Sequence, residues 1–116
     1  MKVVFKKTIK GIEDDADFVY ADSSYAFVID GEDDIINSKF NSRWYVNNFV
    51  KVFNDVLDDN LEQSIKNTVN FLRKMLVNNG ISSNYEIPCA SMSFVRDKGD
   101  YFEICQIGDL PIIILN

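Results

Sequence analysis

The sequence predicts an α+β domain in which antiparallel strands flank a pair of helices. Short runs of aromatic and β-branched residues, typical of strands, occur near both ends of the chain. Between them, apolar residues recur at helical spacing. The 116 residues, of which 47% are hydrophobic and 26% charged, have the size and composition of one globular domain, so we assign residues 1–116 to a single domain.

Three strands are predicted in the first third of the chain. Val3 to Ile9 is an apolar run flanked by lysines, as edge strands often are. An acidic turn from Lys10 to Asp17 follows it. Phe18 to Ala21 and Tyr25 to Asp30 then form a predicted β-hairpin, because the turn residues Asp22-Ser23-Ser24 separate them.

Two helices are predicted in the middle of the chain. The first extends from about Ser38 to Leu57, and the second begins at Leu61, after Asn60 and Gln63 in the spacing of a capping box. Asn79-Gly80 ends the second helix. A short link makes the two helices neighbours, and we expect them to pack on the sheet that contains Tyr25 to Asp30. The side chains expected in the core are Trp44, Phe49, Phe53, Leu72 and Phe27.

Three further strands complete the predicted order βββααβββ. Ala90 to Val95 and Tyr101 to Ile107 are joined by a hairpin turn at Asp97 to Asp100. Ile112 to Leu115 is an apolar strand with no segment after it to cover it. Because bare apolar edges associate, we expect either an incomplete domain or a homodimer through the edge at Ile112–Leu115.

The composition excludes several classes of function. The chain has no histidine, which rules out Ser-His-Asp and Cys-His catalysis and His-ligated zinc within this polypeptide. A metal site must therefore use oxygen ligands, which favours Mg, Mn or Ca. The net charge of -6, with no basic block, disfavours nucleic acid and anionic membranes as partners.

The cysteines and the N-terminus indicate an intracellular protein. Cys89 and Cys105 lie in apolar runs and are not a CxxC pair, so we interpret them as buried structural thiols. The N-terminus lacks the long apolar segment and the cleavage site of a signal peptide. No run is long enough to cross a membrane. These features predict a cytoplasmic location.

The best candidate for a functional site is the pair Asp30-Gly31, which ends the apolar run from Tyr25. A carboxylate at the end of a buried strand is costly unless it has a partner. Gly31 allows a ligand to approach the backbone closely. Acids upstream could share a cation with Asp30, and the alternative is that Asp-Gly only makes a turn after the strand. The upstream acids are Glu13, Asp14, Asp15, Asp17 and Asp22.

Four features, in this order and spacing, resemble the N-terminal half of the metal-dependent protein phosphatases of the protein phosphatase 2C type, in particular bacterial members. They are the acidic turn Glu13-Asp14-Asp15-Ala16, the strand Tyr25 to Gly31 with its final Asp-Gly, the helical segment Ser42-Arg43-Trp44-Tyr45-Val46, and the run Pro88 to Phe94 that leads to Gln106-Ile107-Gly108-Asp109. The resemblance implies a partial αββα sandwich, with antiparallel sheets stacked face to face and helices outside. It also implies a hydrolase that uses Mn or Mg to cleave phosphoserine and phosphothreonine in phosphoprotein substrates.

The resemblance also implies roles for particular residues. Asp30 would bridge two metal ions and Gly31 would offer its carbonyl oxygen to one of them. Asp14 or Asp15 would complete the protein ligands of that ion, and Asp109 would lie near an accessory ion. Lys10 occupies a place where a basic residue could hold the substrate phosphate, although the family has arginine there.

Two questions stay open at this point, namely which acid of the first turn matches the aspartate of the family and whether the chain is catalytically active. Counted back from Asp30 without gaps, Asp17 falls where the aspartate of the family lies, and Ala16 replaces its glutamate. The aspartates of the family's second half have no counterpart in the 116 residues. A non-catalytic, pseudophosphatase-like binding domain of the same fold is therefore the alternative function. A third interpretation is an unrelated α+β domain with a solvated acidic face.

Overall fold

The computed structural model describes residues 1–3, 16–32, 39–81 and 88–114. In these ranges the element order is ββααββ, which confirms the α+β class. The elements are β1 (Asp17–Ala21), β2 (Tyr25–Gly31), α1 (Ser42–Val56), α2 (Leu61–Asn78), β3 (Ala90–Asp97) and β4 (Phe102–Ile107). The strands form one four-stranded sheet in the order β1-β2-β3-β4, and every neighbouring pair is antiparallel.

The two outermost predicted strands lie partly outside the described residues. Of the strand predicted at Val3 to Ile9, residues 4–9 lie outside the described ranges. At the other end, residues 110–114 contain no strand, so the edge strand predicted at Ile112–Leu115 is wrong over its described part. The Ser93 hydroxyl donates a hydrogen bond to the Leu110 carbonyl oxygen and holds this segment over a face of the sheet. The two stacked sheets of a sandwich are thus not seen within the described residues.

Both predicted hairpins form, and an aspartate organises each turn. Asp22 Oδ1 accepts hydrogen bonds from the backbone N–H groups of Ser24 (2.7 Å) and Tyr25 (2.9 Å). In the second hairpin, Asp97 Oδ1 accepts from the N–H of Gly99 at 2.8 Å. Gly99 has a φ of +89°, a conformation that glycine adopts without the strain of a Cβ.

The ends of α2 follow the predicted signals, whereas α1 begins at Ser42 and not at about Ser38, because Asn41 caps it. Asn41 caps α1 by accepting from the Trp44 N–H at 2.9 Å, and Asn60 caps α2 by accepting from the Gln63 N–H at 3.0 Å. Only this half of the predicted capping box forms, because the Gln63 side chain donates to Asn67 instead. The end of α2 is a Schellman motif in which Gly80 (φ +79°) donates to Val77 and Ile81 donates to Leu76.

The core lies between α1, α2 and one face of the sheet, the inner face. Phe53 of α1 is fully buried and meets the rings of Phe27 and Phe94 edge-on, at centroid distances of 5.5 and 5.8 Å. This arrangement is one of the preferred geometries of aromatic pairs. The buried cluster consists of Phe27, Ile29, Val46, Phe49, Val50, Phe53, Leu61, Leu72, Met92 and Phe94.

Arg96 connects the sheet to the link between the helices. Its guanidinium group forms an ion pair with Glu103 at 2.7 Å across β3 and β4. The same group donates to the carbonyl oxygens of Asp58 (2.6 Å) and Asp59 (3.2 Å) in the α1–α2 link. The planar guanidinium group, with its several N–H donors, thus connects the helical pair to the sheet.

The opposite face of the sheet, the outer face, carries apolar side chains that no helix covers in the described residues. The register places Val28 beside Val19 and Ser93, and Val95 beside Ala26 and Ile104. The segment 110–114, called the tail below, lies over part of this face and leaves a groove of about 340 Å³ lined by Val19, Ala26, Val28, Ser93, Val95, Leu110, Pro111 and Ile112 among others. Exposed apolar side chains on this face are Val28, Phe102 and Ile104.

Burial agrees with most of the predicted core. Phe27, Phe49, Phe53 and Leu72 are buried as predicted. Trp44 is only partly buried, because it belongs to the first turn of α1 and packs edge-on against Phe40 at 5.0 Å.

The prediction of buried cysteines is wrong. Cys89 is exposed because it precedes β3, and Cys105 is half-buried because β4 is an edge strand. Burial of Cys105 raises its thiol pKa.

Candidate metal-binding site

A row of polar side chains crosses the outer face at one end of the sheet. Asp17 of β1 lies directly opposite Asp30 of β2, and Asp30 lies directly opposite Ser91 of β3. Residues directly opposite each other in antiparallel strands point to the same face. The three side chains therefore share the outer face, with Asp17 exposed, Asp30 half-buried and Ser91 buried.

Asp109 joins this row through Ser91. The Ser91 hydroxyl donates a hydrogen bond to Asp109 Oδ1 at 3.1 Å. Gly108, just before it, has a φ of +82°, and a Cβ there would lie 2.7 Å from the Ser91 Cβ. A side chain at Gly108 would therefore collide with Ser91. Gly108 is the residue that allows the chain to turn closely over the end of β3 and to present Asp109 beside it.

Gly31 is also required by close packing. Its N–H donates to the Ala16 carbonyl oxygen at 3.2 Å. A Cβ at Gly31 would lie 2.8 Å from both the Cβ and the carbonyl oxygen of Ala16, and 3.2 Å from the Cβ of Ser42. The strand β2 continues through Gly31, which pairs with Ala90 of β3. The alternative in which Asp30-Gly31 makes a turn is therefore wrong, since both residues lie in the strand.

The carboxylates of Asp17 and Asp30 face each other across β1 and β2. Facing carboxylates repel each other, and a group of opposite charge beside them removes that cost. Within the part of the chain that the structure describes, the Asp30 carboxylate has no hydrogen bond or ion pair. A hard cation between the two strands would remove the repulsion, since carboxylate oxygens are the ligands that Mg and Mn prefer.

The described residues do not by themselves enclose a metal ion. Across residues 1–3, 16–32, 39–81 and 88–114, no group of three or more His, Cys, Asp or Glu side chains is arranged to hold one. The carboxylates of Asp17, Asp30 and Asp109 have the right chemistry and share one end of the outer face, but they provide only part of a ligand set.

The predicted site residues divide into two groups. Asp30, Gly31 and Asp109 lie together at this end of the sheet. Lys10, Asp14 and Asp15 lie outside the described residues, so their predicted roles remain predictions.

Two residues at the end of the sheet that holds Asp30 were not among the predicted site residues. Asp17 is the acid opposite Asp30, and the ungapped count back from Asp30 was the signal that pointed to it. Ser91 orients Asp109, but a serine in a strand carries no signal of such a role.

A second cavity lies between the helices and the inner face. It measures about 160 Å³ and is lined by Ile29, Tyr45, Phe49, Ile65, Val69, Pro88, Cys89, Ala90, Met92 and Ile107. Burial raises the pKa of the Tyr45 hydroxyl, so that this group stays neutral. The lining contains no carboxylate and no basic side chain. This cavity is therefore not where metal-dependent chemistry would occur.

Comparisons with protein-family models, with curated proteins and with solved structures find no match to this chain. The resemblance to the phosphatases thus depends on the quoted motifs alone. None of the helices in the described ranges is long and apolar enough to cross a membrane.

Proposed function

We propose that this chain carries the first part of the metal site of a cytoplasmic serine/threonine phosphatase of the protein phosphatase 2C type, with a sandwich fold. The observation that carries the proposal is the opposition of Asp17 and Asp30 on the outer face, with Asp109 tied to the same end through Ser91. Carboxylate oxygens are the ligands that Mn and Mg prefer, and these three carboxylates share one end of the sheet.

Each residue of the row has a role in this proposal. Asp30, between β1 and β3, would hold the cations, and Asp17 faces it as an acid at the start of β1. Gly31 permits the close approach of β2 to Ala16, and its carbonyl oxygen would serve as a ligand. Asp109, which accepts a hydrogen bond from Ser91, would lie near an accessory ion. Bound Mn or Mg would lower the pKa of a water molecule and neutralise charge on the phosphate ester.

The residues outside the described ranges keep their proposed roles. Asp14 or Asp15 would add a carboxylate at the entry to β1, and Lys10 would bind the phosphate group of the phosphoprotein substrate. Lysine binds phosphate as a point charge, whereas the arginine of the family binds it through two parallel hydrogen bonds. We therefore expect weaker substrate binding than an arginine at position 10 would give.

A non-catalytic binding domain of the same fold is the second candidate. It is favoured by one observation, namely that no group of three acidic side chains in the described ranges is arranged to hold an ion. A divalent ion takes about six oxygen ligands, of which several must come from protein for tight binding. We expect the 116-residue chain alone to bind Mn or Mg weakly and to lack metal-dependent hydrolysis.

The test is a calorimetric titration of Mn into the wild-type chain and four variants, with turnover of an aryl phosphate measured in parallel. Asp30→Asn should abolish the binding because it removes the charge that is shared between the ions. Asp17→Asn should weaken it, and Asp109→Asn should do less than either. Asp55→Asn is the matched control, because Asp55 is an exposed acid on α1.

Each outcome separates the candidates. Mn binding that Asp30→Asn leaves unchanged would show that the site is elsewhere and that the resemblance is misleading. Robust hydrolysis by the wild-type chain would show that these residues are misassigned, since they do not complete a metal site. Binding that depends on Asp30, without turnover, supports a partial metal site, whereas no Mn binding by the wild-type chain favours the binding domain.

A further inference from the structure

We propose that two copies of this chain associate through the outer faces of their sheets, giving four layers in the order helices, sheet, sheet, helices. This inference goes beyond the proposed function and does not depend on it, because the contact requires neither metal nor phosphate. It replaces the predicted contact through an edge strand at Ile112–Leu115, whose described residues form no strand.

The first argument is the composition of the outer face. An antiparallel sheet that packs helices on only one side normally presents polar side chains on the other. Here the polar side chains of the second side, Asp17, Asp30, Ser91, Ser93, Asp97 and Gln106, are interspersed with the apolar side chains Val19, Ala26, Val28, Val95, Phe102 and Ile104. Phe102 is 58% exposed and Ile104 45% exposed, so these two side chains lie in solvent in the single chain. Apolar strand faces of this kind are what two sheets bury when they pack about 10 Å apart.

The second argument concerns the tail. Leu110 to Ile112 line the groove on the outer face, and the next two residues, Ile113 and Ile114, are 79% and 70% exposed. The molecule thus presents an apolar segment directly beside an apolar groove of about 340 Å³. In a symmetric pair, the exposed isoleucines of each copy cover the uncovered groove of the other. Such reciprocal contacts are what a two-fold axis produces.

The area fits a second copy. Burying the exposed parts of Val28, Phe102, Ile104, Ile113 and Ile114 removes on the order of 500 Å² of surface per copy, which is about the apolar share of an interface of ordinary size (about 800 Å² per partner).

The experiment is sedimentation equilibrium of the metal-free wild-type chain over a wide concentration range, with three variants. The expected mass is twice the 13.3 kDa of one chain. Ile104→Glu, on the outer face, should return the mass to that of one chain. Val28→Thr/Ile104→Thr is the milder second variant, which keeps β-branched side chains in the strands and should weaken association if Ile104→Glu fails to fold. Phe71→Glu is the control, because Phe71 is 52% exposed on α2, away from the sheet.

The outcomes are decisive in both directions. A doubled mass that Ile104→Glu or the double threonine variant reduces, and that Phe71→Glu leaves unchanged, supports the proposal. A wild-type chain that remains a monomer at every concentration overturns it. A doubled mass that is lost in Phe71→Glu, or that persists in both folded outer-face variants, places the contact elsewhere and overturns it as well. None of these results depends on Mn binding, so the proposed function is tested separately.

Discussion

Asp17 and Asp30 place two like charges side by side at one end of the sheet. They lie directly opposite each other on the same face of adjacent strands, where an opposite charge or a polar residue would be more favourable. Next to Asp30, Gly31 approaches Ala16 so closely that a Cβ cannot be accommodated. Packing therefore constrains which side chain fits at Gly31, whereas the charge of the acid opposite it is what matters at Asp30.

The first prediction is that Asp30→Asn stabilises the metal-free chain while it removes Mn binding. Loss of the repulsion with Asp17 should raise the free energy of unfolding by roughly 0.2–1 kcal/mol. Urea denaturation in the presence of a chelator measures this change. Asp55→Asn, at an exposed position of α1, should leave the stability nearly unchanged. A lower stability in Asp30→Asn would mean that the carboxylate accepts a stabilising contact.

Among the elements, β3 is joined to the α1–α2 link by the Arg96 side chain. This side chain is 11% exposed, and its guanidinium group is shared between Glu103 and two backbone carbonyl oxygens of the link. Lys98, two residues on, makes only a long contact of 3.3 Å with the fully exposed Asp59 carboxylate. These neighbouring cations therefore differ in how much they should contribute to stability.

The second prediction is that Arg96→Met lowers the free energy of unfolding by about 1–3 kcal/mol, because it leaves Glu103 without its charge partner and removes the donors to the link. Lys98→Met should change it by less than about 0.5 kcal/mol, since exposed ion pairs contribute little. Thermal and urea unfolding of the two variants measure the difference. Equal effects of the two substitutions would contradict a connecting role for Arg96.

The third prediction concerns the turn of the first hairpin. Hydrogen bonds from the backbone N–H groups of Tyr25 and then Ser24, with a weaker one from the Tyr20 hydroxyl, lower the pKa of Asp22. A carboxyl group with a lowered pKa stabilises the fold above its unfolded pKa of about 3.9, and this contribution is lost as the pH falls through the lower folded value.

The matching variant is Asp22→Asn, which keeps an acceptor oxygen in the turn but does not titrate. The wild type should exceed the variant in stability at neutral pH, and the difference should shrink at about pH 3. Urea midpoints of both proteins at the two pH values test this. A difference in stability that does not change with pH would mean that Asp22 acts through the shape of its side chain and not through its charge.

The elements that were predicted correctly are those with local signals. The caps at Asn60 and Gly80, and the turns at Asp22 and Asp97, each involve residues a few positions apart. The exposure of Cys89 and the path of the tail were not predictable in this way, because they depend on where distant segments pack. Asp17, by contrast, was indicated by the ungapped count back from Asp30, which agrees with the strand register.

For the whole molecule, the position of each strand in the sheet decides which strands should open most easily. β2 and β3 are central in the sheet and are paired on both sides, whereas β1 and β4 are edges in the described structure. Of the strands, β3 has the longest run of buried residues, from Ser91 to Phe94, whereas β4 has none that are fully buried.

The fourth prediction is that amide hydrogen exchange is slowest in β2 and β3 and at least about tenfold faster in β4, because edge amides open without breaking the core. Hydrogen–deuterium exchange with peptide-level mass spectrometry measures this. Exchange in β4 as slow as in β3 would indicate that the edge of β4 is covered in solution. Repeating the measurement with Ile104→Glu shows whether association protects the outer face.

The position of Trp44 determines what optical spectroscopy can report. It is the single tryptophan of the chain, and it follows the buried Ser42, whose Cβ faces Gly31 at the end of β2. Its ring packs against Phe40, so its fluorescence will report on the start of α1 and not on the middle of the core. Tyr20 and Tyr25, stacked at 5.0 Å beside Phe27, provide the near-ultraviolet circular dichroism of the core instead. One sample can thus give two separate signals, one for changes at the start of α1 and one for loss of the core.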